Sequence, residues 1–177
     1  VLTICLHDNK SELIDVCLGY ASLREYEEHD EYLGACIGRF AGRVENGTCQ
    51  INEEEYVLTQ NDGFHHLHGG IKGFDKYVWD SEIKDSKVNF SRISPHMEEG
   101  YPGTVQLKVT YEFTDENELI IQSYAVSDQD TVLNMTNHTY FNLSGEADGT
   151  ILDHSLQVLA DEYNENNQNY MSSNIVS

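Results

Sequence analysis

The chain is poor in basic residues, with 10 Lys and Arg against 31 Asp and Glu, so its formal net charge at pH 7 is -21. Nucleic acids and anionic membrane surfaces are bound through Lys and Arg, and we therefore expect neither as a partner. The same negative field disfavours a phosphorylated ligand and is indifferent to a neutral one. The simplest interpretation of the acidity is that it keeps a cytoplasmic protein soluble.

Several sequence signatures are also missing. No apolar run approaches the roughly 18 residues of a membrane helix, and no charged and then apolar leader opens the chain at Val1. Neither a phosphate-binding glycine loop nor a G-x-S-x-G nucleophile motif is present. These absences argue against a membrane protein, a nucleotide-binding enzyme and a serine hydrolase of that type.

The cysteines do not form a recognisable framework. They stand at positions 5, 17, 36 and 49, with irregular spacing and no C-x-x-C pair. A chain of 177 residues can bury a core of its own and needs no disulfides. We interpret the cysteines as reduced, mostly buried thiols in a cytoplasmic protein, and we expect no metal site.

Apolar residues at every second position predict β-strands. Between residues 105 and 113 the order is Val, Leu, Val, Tyr and Phe, separated by Gln, Lys, Thr and Glu, which is typical of a half-buried strand. A polar turn at 114–117 and a second strand at 119–126 complete an antiparallel hairpin. The same pattern recurs at 2–7 with 13–18, at 48–51 with 55–58, and at 78–83 with 87–93. The sequence therefore predicts an all-β antiparallel sandwich or barrel.

Other local signals are few. Ser22 and Glu25 match a capping box, which predicts a short helix over 23–30. Asp75 and Lys76 indicate a structural turn with an ion pair. The length suggests one domain over 1–177, and the segment 164–177, rich in Asn and Ser, is expected to be loosely ordered.

Three positively charged or titratable residues stand in unusual local sequences. His68 is followed by two glycines, which let a ligand approach the backbone, and lies either toward a cleft or on a surface loop of clustered histidines. His138 lies among Asn and Thr residues, as in a sugar site, or is a core histidine bonded to a backbone carbonyl. Arg43 offers a planar donor fork for paired hydroxyls, or is a solvated surface charge.

Together these segments resemble the aldose 1-epimerase (galactose mutarotase) family. The motifs are G-R-F-A-G-R at 38–43, H-L-H-G-G at 66–70 and N-H-T-Y-F-N-L at 137–143, in the family's order and spacing. The likeness continues through 61–79, through G-Y-P-G at 100–103 and through 154–161. It implies a galactose mutarotase-like antiparallel β-sandwich with a sugar cleft and no metal or organic cofactor.

The resemblance also implies roles for individual residues. His138 would be the catalytic acid, Arg43 and His68 would bind the sugar, and Thr139 and Tyr140 would lie in the same site. The expected activity is the interconversion of the α and β anomers of a free hexose such as galactose or glucose, with that sugar as the small-molecule partner. One departure concerns substrate preference, since many members carry Asn where this chain has Gly42.

Two alternatives follow from the same residues. A hexose-6-phosphate epimerase of this fold would need more basic residues around its cleft than this chain offers. The second alternative is a sugar-binding relative without catalysis. It follows because the segment that carries the family's catalytic glutamate and binding aspartate is not among these 177 residues. Since a half sandwich would leave an apolar face open, we expect a longer chain to exist.

Overall fold

The computed structural model describes residues 3–146 and 149–176. Among these residues the structure is mostly strands, with one α-helix, α1 at Leu23–Glu28, and 3-10 turns at Glu45–Gly47 and Phe74–Lys76. In chain order the strands are β1 Cys5–His7, β2 Leu13–Asp15, β3 Ala35–Ile37, β4 Arg43–Val44, β5 Thr48–Ile51, β6 Glu54–Val57, β7 His66–Leu67, β8 Asp80–Lys84, β9 Lys87–Ser94, β10 Val105–Phe113, β11 Leu119–Ser127, β12 Thr136–His138, β13 Tyr163–Asn166 and β14 Ser172–Val176.

The chain forms two compact units. The first combines Val1–Cys36 with Asn137–Ser177, and the second is Ile37–Thr136. The first unit holds the hairpins β1–β2 and β13–β14 together with α1, and the second holds β4 to β11. The single domain expected over residues 1–177 stays a prediction.

A four-stranded antiparallel sheet organises the second unit, in the order β11-β10-β9-β8. The hairpin predicted from alternating residues is confirmed, with Val105 opposite Ser127 and Phe113 opposite Leu119. The turn between its strands places Asn117 at a φ of 61°, a conformation that Asn tolerates better than most residues. The alternation therefore sets both the strand and its register.

The inward face of β10 forms the core of this unit. Val105, Leu107 and Val109 are buried, whereas the intervening Gln106 and Lys108 are exposed. Phe74 packs against Val105 and Leu107. Moving one such side chain from water into the core contributes about 1.5–3 kcal/mol of transfer free energy.

The other predicted hairpins are present with adjusted ends. β6 begins at Glu54, one residue earlier than expected, because the turn takes only Asn52 and Glu53. β8 begins at Asp80 and β1 at Cys5, both later than the pattern suggested, and residue 2 lies outside the described part of the chain. Strand ends are the least certain feature of a periodicity argument.

The helix and the ion-paired turn are confirmed. α1 ends at Glu28, shorter than expected, and the Ser22 hydroxyl donates to the Glu25 carboxylate at 2.7 Å and accepts from the Glu25 amide at 3.4 Å. The capping pair thus bonds side chain to side chain. In the turn Phe74–Lys76, the Lys76 ammonium lies 3.3 Å from the Asp75 carboxylate.

The segment from residue 164 onward was expected to be loosely ordered, but it contains the hairpin β13–β14. The Asn167 side chain accepts hydrogen bonds from the amides of Asn169 (2.8 Å) and Met171 (3.2 Å), and Met171 is buried. A side-chain oxygen that satisfies backbone amides makes Asn a turn former. Asn167 therefore forms the turn between β13 and β14, and loose order over 164–177 stays a prediction.

The cysteines are less buried than expected. Cys17 is fully buried, Cys36 and Cys49 are half-buried, and Cys5 is exposed. Burial raises the pKa of Cys17 to about 11, with the Asp15 carboxylate adding to the effect, and burial also raises the pKa of Cys49. Both thiols are held in the protonated, unreactive form. Within residues 3–146 and 149–176, no helix is long and apolar enough to cross a membrane.

Candidate active site

Arg43 and His68 are brought together by two short paired strands in the second unit. β4 pairs with β7, so that Arg43 lies opposite Leu67. Beyond this ladder the amide of His68 donates to the Gly42 carbonyl at 3.1 Å, and the Gly42 amide donates to Nδ1 of His68 at 3.0 Å. Since Nδ1 accepts this bond, the neutral ring carries its proton on Nε2 and is a donor there.

The glycines after His68 let the chain turn sharply at this point. His68 has a φ of 52°, and Gly69 and Gly70 follow with φ of 94° and 101°. A Cβ atom at Gly69 would lie 1.8 Å from the Gly38 carbonyl oxygen, so only glycine fits. The turn therefore holds the His68 segment tightly against residues 38–42.

The Arg43 side chain is held by a carboxylate. Its Nε donates to Oδ2 of Asp62 at 2.6 Å, and both side chains are partly buried, with exposures of 27% and 36%. Arg43 is thus an anchored cation, which differs from the alternative of a solvated surface charge. Asn61 stabilises the neighbouring strand, because its side-chain amide makes two hydrogen bonds with the backbone of Leu67, the residue opposite Arg43.

The clustered histidines have separate roles, which overturns the alternative of a common surface loop. His65 Nδ1 accepts from the Asn46 amide at 3.1 Å. His66 is fully buried between the Thr59 carbonyl and the Tyr101 hydroxyl, each 2.6 Å away. Burial is the main cause of the lowered pKa of His66. His66 is therefore a neutral core residue, and His68 is the half-buried member beside Arg43.

His138, Thr139 and Tyr140 lie in the first unit, at the end of β12. The His138 ring is half-buried between two tyrosines, with ring centroids 5.8 Å from Tyr32 and 5.1 Å from Tyr140. The Tyr140 hydroxyl donates to the Glu31 carbonyl at 3.2 Å. An imidazole flanked by aromatic rings that also carry hydroxyl groups suits a sugar site better than an apolar core.

Thr139 is fixed by its neighbour. Its amide and its hydroxyl both bond to the Asn137 side-chain oxygen. The backbone carbonyl of His138 accepts from the Gly34 amide at 3.1 Å. Thr139 thus bonds to its neighbour Asn137, and the His138 carbonyl is satisfied by Gly34.

Arg39 is a residue that sequence reasoning missed. It is almost fully buried, and its guanidinium makes six hydrogen bonds, to Ser94 Oγ and Thr131 Oγ1 and to the carbonyls of Ser94, Pro95, Pro102 and Gly103. The same motif contains Arg39 and Arg43, and charge alone does not say which is buried. The only available signal was G-Y-P-G at 100–103, whose turn supplies two of the acceptor carbonyls.

The predicted site residues therefore form two groups. Arg43 and His68 are neighbours within the second unit, whereas His138, Thr139 and Tyr140 are neighbours within the first. In the described part of the chain, no group of three or more His, Cys, Asp or Glu side chains is arranged to hold a metal ion.

Comparison with known proteins identifies relatives of this chain. The aldose 1-epimerase family model matches residues 1–175. Human galactose mutarotase is 45% identical over 156 residues, which is 88% of this chain and 45% of that protein. Aldose 1-epimerase from Escherichia coli is 40% identical over 150 residues, 84% of this chain and 43% of that protein. The chain thus spans less than half the length of these curated relatives.

Solved structures give the same result. An aldose epimerase homologue from C. elegans matches all of this chain and 55% of its own, with a TM-score of 0.91 and 32% identity. Galactose 1-epimerase from Lactobacillus acidophilus matches 73% of this chain and 40% of its own, with a TM-score of 0.67 and 37% identity. These matches confirm the predicted all-β, galactose mutarotase-like fold class. The chain therefore belongs to the aldose 1-epimerase family.

Proposed function

We propose that the protein interconverts the α and β anomers of a free hexose, with galactose or glucose as the substrate. Family membership supports the reaction, and relatives at 40–45% identity carry the names galactose mutarotase and aldose 1-epimerase. The observation that carries the proposal is the hydrogen bond from the Gly42 amide to Nδ1 of His68. Together with the pairing of β4 and β7, it places the imidazole of His68 beside Arg43, so that two polar donors lie next to each other.

The reaction needs two proton-transfer groups and no redox step. A base removes the proton from the O1 hydroxyl while an acid protonates the ring oxygen O5; the C1–O5 bond breaks and C1 becomes an aldehyde. Rotation about C1–C2 turns the carbonyl over, and O5 attacks its other face with the two roles reversed. Positioned acid and base groups each contribute typically 10²–10⁴-fold to such a step.

His138 takes the acid role in this proposal. An imidazole can donate and accept a proton near neutral pH, which a reversible reaction requires. The tyrosines on either side of its ring restrict its orientation. We assign no residue of these 177 to the base role, which a carboxylate on the opposite side of the sugar would fill.

Arg43 and His68 bind the sugar hydroxyls, and Thr139 and Tyr140 line the site beside His138. The guanidinium fork pairs with adjacent hydroxyls. His68 donates from Nε2, since its Nδ1 already accepts from Gly42. A neutral ligand suits a chain with a formal net charge of -21 better than a sugar phosphate does.

Polarimetry of freshly dissolved α-D-galactose tests the proposal with the full chain. The expected result is equilibration faster than buffer alone, for galactose and glucose but not for glucose 6-phosphate. Faster exchange of glucose 6-phosphate would replace the proposal with the phosphate-specific alternative. Tight sugar binding in calorimetry without anomer exchange would identify a non-catalytic relative.

We also propose that the protein acts in the cytoplasm without a metal or organic cofactor. Fractionation of cells that express the tagged full chain tests the first point. Retained polarimetric activity after dialysis against a chelator tests the second, and loss of activity that Mg²⁺ or Zn²⁺ restores would contradict it.

A further inference from the structure

We propose that Asp62 is a positioning residue for Arg43 and that it biases the site toward uncharged sugars over sugar phosphates. The inference rests on the proposed function, because it concerns the same sugar site. Arg43 and Asp62 form an ion pair in which the guanidinium Nε lies 2.6 Å from the carboxylate Oδ2.

The ion pair between Asp62 and Arg43 can restrict the orientation of the Arg43 guanidinium. Both side chains are partly withdrawn from solvent, so their attraction is less screened than that of a surface pair. A bond at Nε, close to the end of the aliphatic stem, limits rotation of the whole guanidinium plane. Asp62 therefore orients Arg43 before the sugar arrives, which removes an ordering cost from binding.

Asp62 is itself fixed by a short turn. Its amide and its carbonyl both pair with the backbone of His65, at 3.2 Å and 3.0 Å. The preceding Asn61 bonds to the backbone of Leu67 in both directions, and Leu67 is the strand partner of Arg43. Asp62 thus holds the side chain of Arg43, while Asn61 holds Leu67, the residue opposite Arg43 in the strand pair.

The carboxylate also offsets the charge of the guanidinium. A sugar hydroxyl needs only oriented N–H donors, whereas a phosphate dianion gains mainly from net positive charge. With Asp62 beside it, Arg43 presents donors with little net charge. We therefore expect Asp62 to favour a free hexose and to reject its phosphorylated form.

Asp62→Asn, Asp62→Ala and a matched control test the inference in the full chain. The control is Glu112→Gln, which removes the 2.7 Å ion pair with Lys87 on the sheet. We expect the Asp62 variants to raise the KM for galactose roughly three- to tenfold with kcat nearly unchanged. We also expect Asp62→Asn to increase the affinity for glucose 6-phosphate relative to glucose, and Glu112→Gln to change none of these values.

A double-mutant cycle separates positioning from a merely structural role. In an Arg43→Lys background, Asp62→Ala should add little to the KM, since the group it positions is gone. Equal effects in both backgrounds would overturn the proposal, as would an unchanged ratio of the two sugar affinities in Asp62→Asn. Galactose calorimetry on the same variants keeps the two proposals apart. A wild-type protein that binds without exchanging anomers refutes the function and still tests Asp62 by affinity, whereas one that neither binds nor exchanges overturns both.

Discussion

The Tyr101 hydroxyl donates to Nε2 of His66 over 2.6 Å, and neither side chain is exposed to solvent. The other ring nitrogen, Nδ1, donates to the Thr59 carbonyl, which fixes the tautomer. The rings meet edge to face, with centroids 5.2 Å apart. His66 is therefore part of the buried scaffold, whereas His68, two residues further along the chain, is half-buried and bonded to the Gly42 amide.

Removal of the Tyr101 hydroxyl should destabilise the protein. Tyr101→Phe leaves Nε2 of His66 buried without a donor, which costs about 1–3 kcal/mol of the free energy of unfolding. Urea denaturation measures the loss, and Tyr124→Phe on β11 is the control because Tyr124 is 66% exposed. Equal midpoints for the two variants would show that the buried bond contributes nothing.

Stability should fall in mild acid because of His66. Burial lowers its pKa in the folded protein, so between that lowered value and the unfolded value of about 6.5 only the unfolded state binds the proton. The free energy of unfolding therefore decreases as the pH falls below about 6.5, and this loss levels off below the folded pKa. Unfolding midpoints from pH 7.5 down to 5 measure the slope, which His66→Gln should reduce. An identical slope in that variant would contradict the assignment.

Arg39 should be the most sensitive basic residue in the described chain. Arg39→Met leaves the buried carbonyls of the 94–103 loop without their hydrogen-bond donor. It should lower the free energy of unfolding by roughly 3 kcal/mol or more. Arg39→Lys should restore little of this stability, because a single ammonium group cannot reach the acceptors that surround the planar guanidinium. The control is Arg24→Met, since Arg24 is 81% exposed and forms an i,i+4 ion pair with Glu28, and such a surface pair is worth about 0.5 kcal/mol. Thermal denaturation that ranks the three variants otherwise would contradict this account.

Gly69 should not tolerate a side chain. Gly69→Ala places Cβ 1.8 Å from the Gly38 carbonyl oxygen, so the His68 turn must move away from residues 38–42. Gly145→Ala is the control, since Gly145 also has a positive φ, 112°, but nothing lies within 4 Å of its Cβ. We expect a loss of sugar affinity and stability in Gly69→Ala, and in the control only the cost of the strained φ, about 1 kcal/mol. Equal losses of stability in Gly69→Ala and Gly145→Ala would show that the close approach to Gly38 is not the cause.

The sequence predicted those features that rest on local periodicity. Alternation from 105 to 113 identified β10 and its hairpin partner, because a period of two has one structural meaning. The capping pair identified α1 because Ser22 and Glu25 interact within a single helical turn. Features that depend on distant partners were not predictable from the residues alone. Arg39 is buried only because loop carbonyls more than fifty residues away surround it.

For the candidate site, too, contacts with distant residues were not predictable from the sequence. Motif spacing predicted Arg43, His68 and His138 as site residues, and these roles stay predictions. The structure adds a contact for two of them, Asp62 for Arg43 and Gly42 for His68. The two glycines after His68 singled it out among the histidines. The burial of His66 was not predictable from the local sequence, because it depends on the distant Tyr101. The joint action of the two residue groups in one reaction stays a prediction.

Anomer exchange measured by NMR in a solution of galactose tests that central claim most directly. We expect magnetisation to exchange between the α and β anomeric protons far faster with the full chain than in buffer alone. His138→Gln should lower the rate by about a hundredfold or more while calorimetry still detects sugar binding, which Arg43→Ala should weaken. A wild-type rate no faster than buffer, or a His138→Gln variant with the wild-type rate, would contradict it.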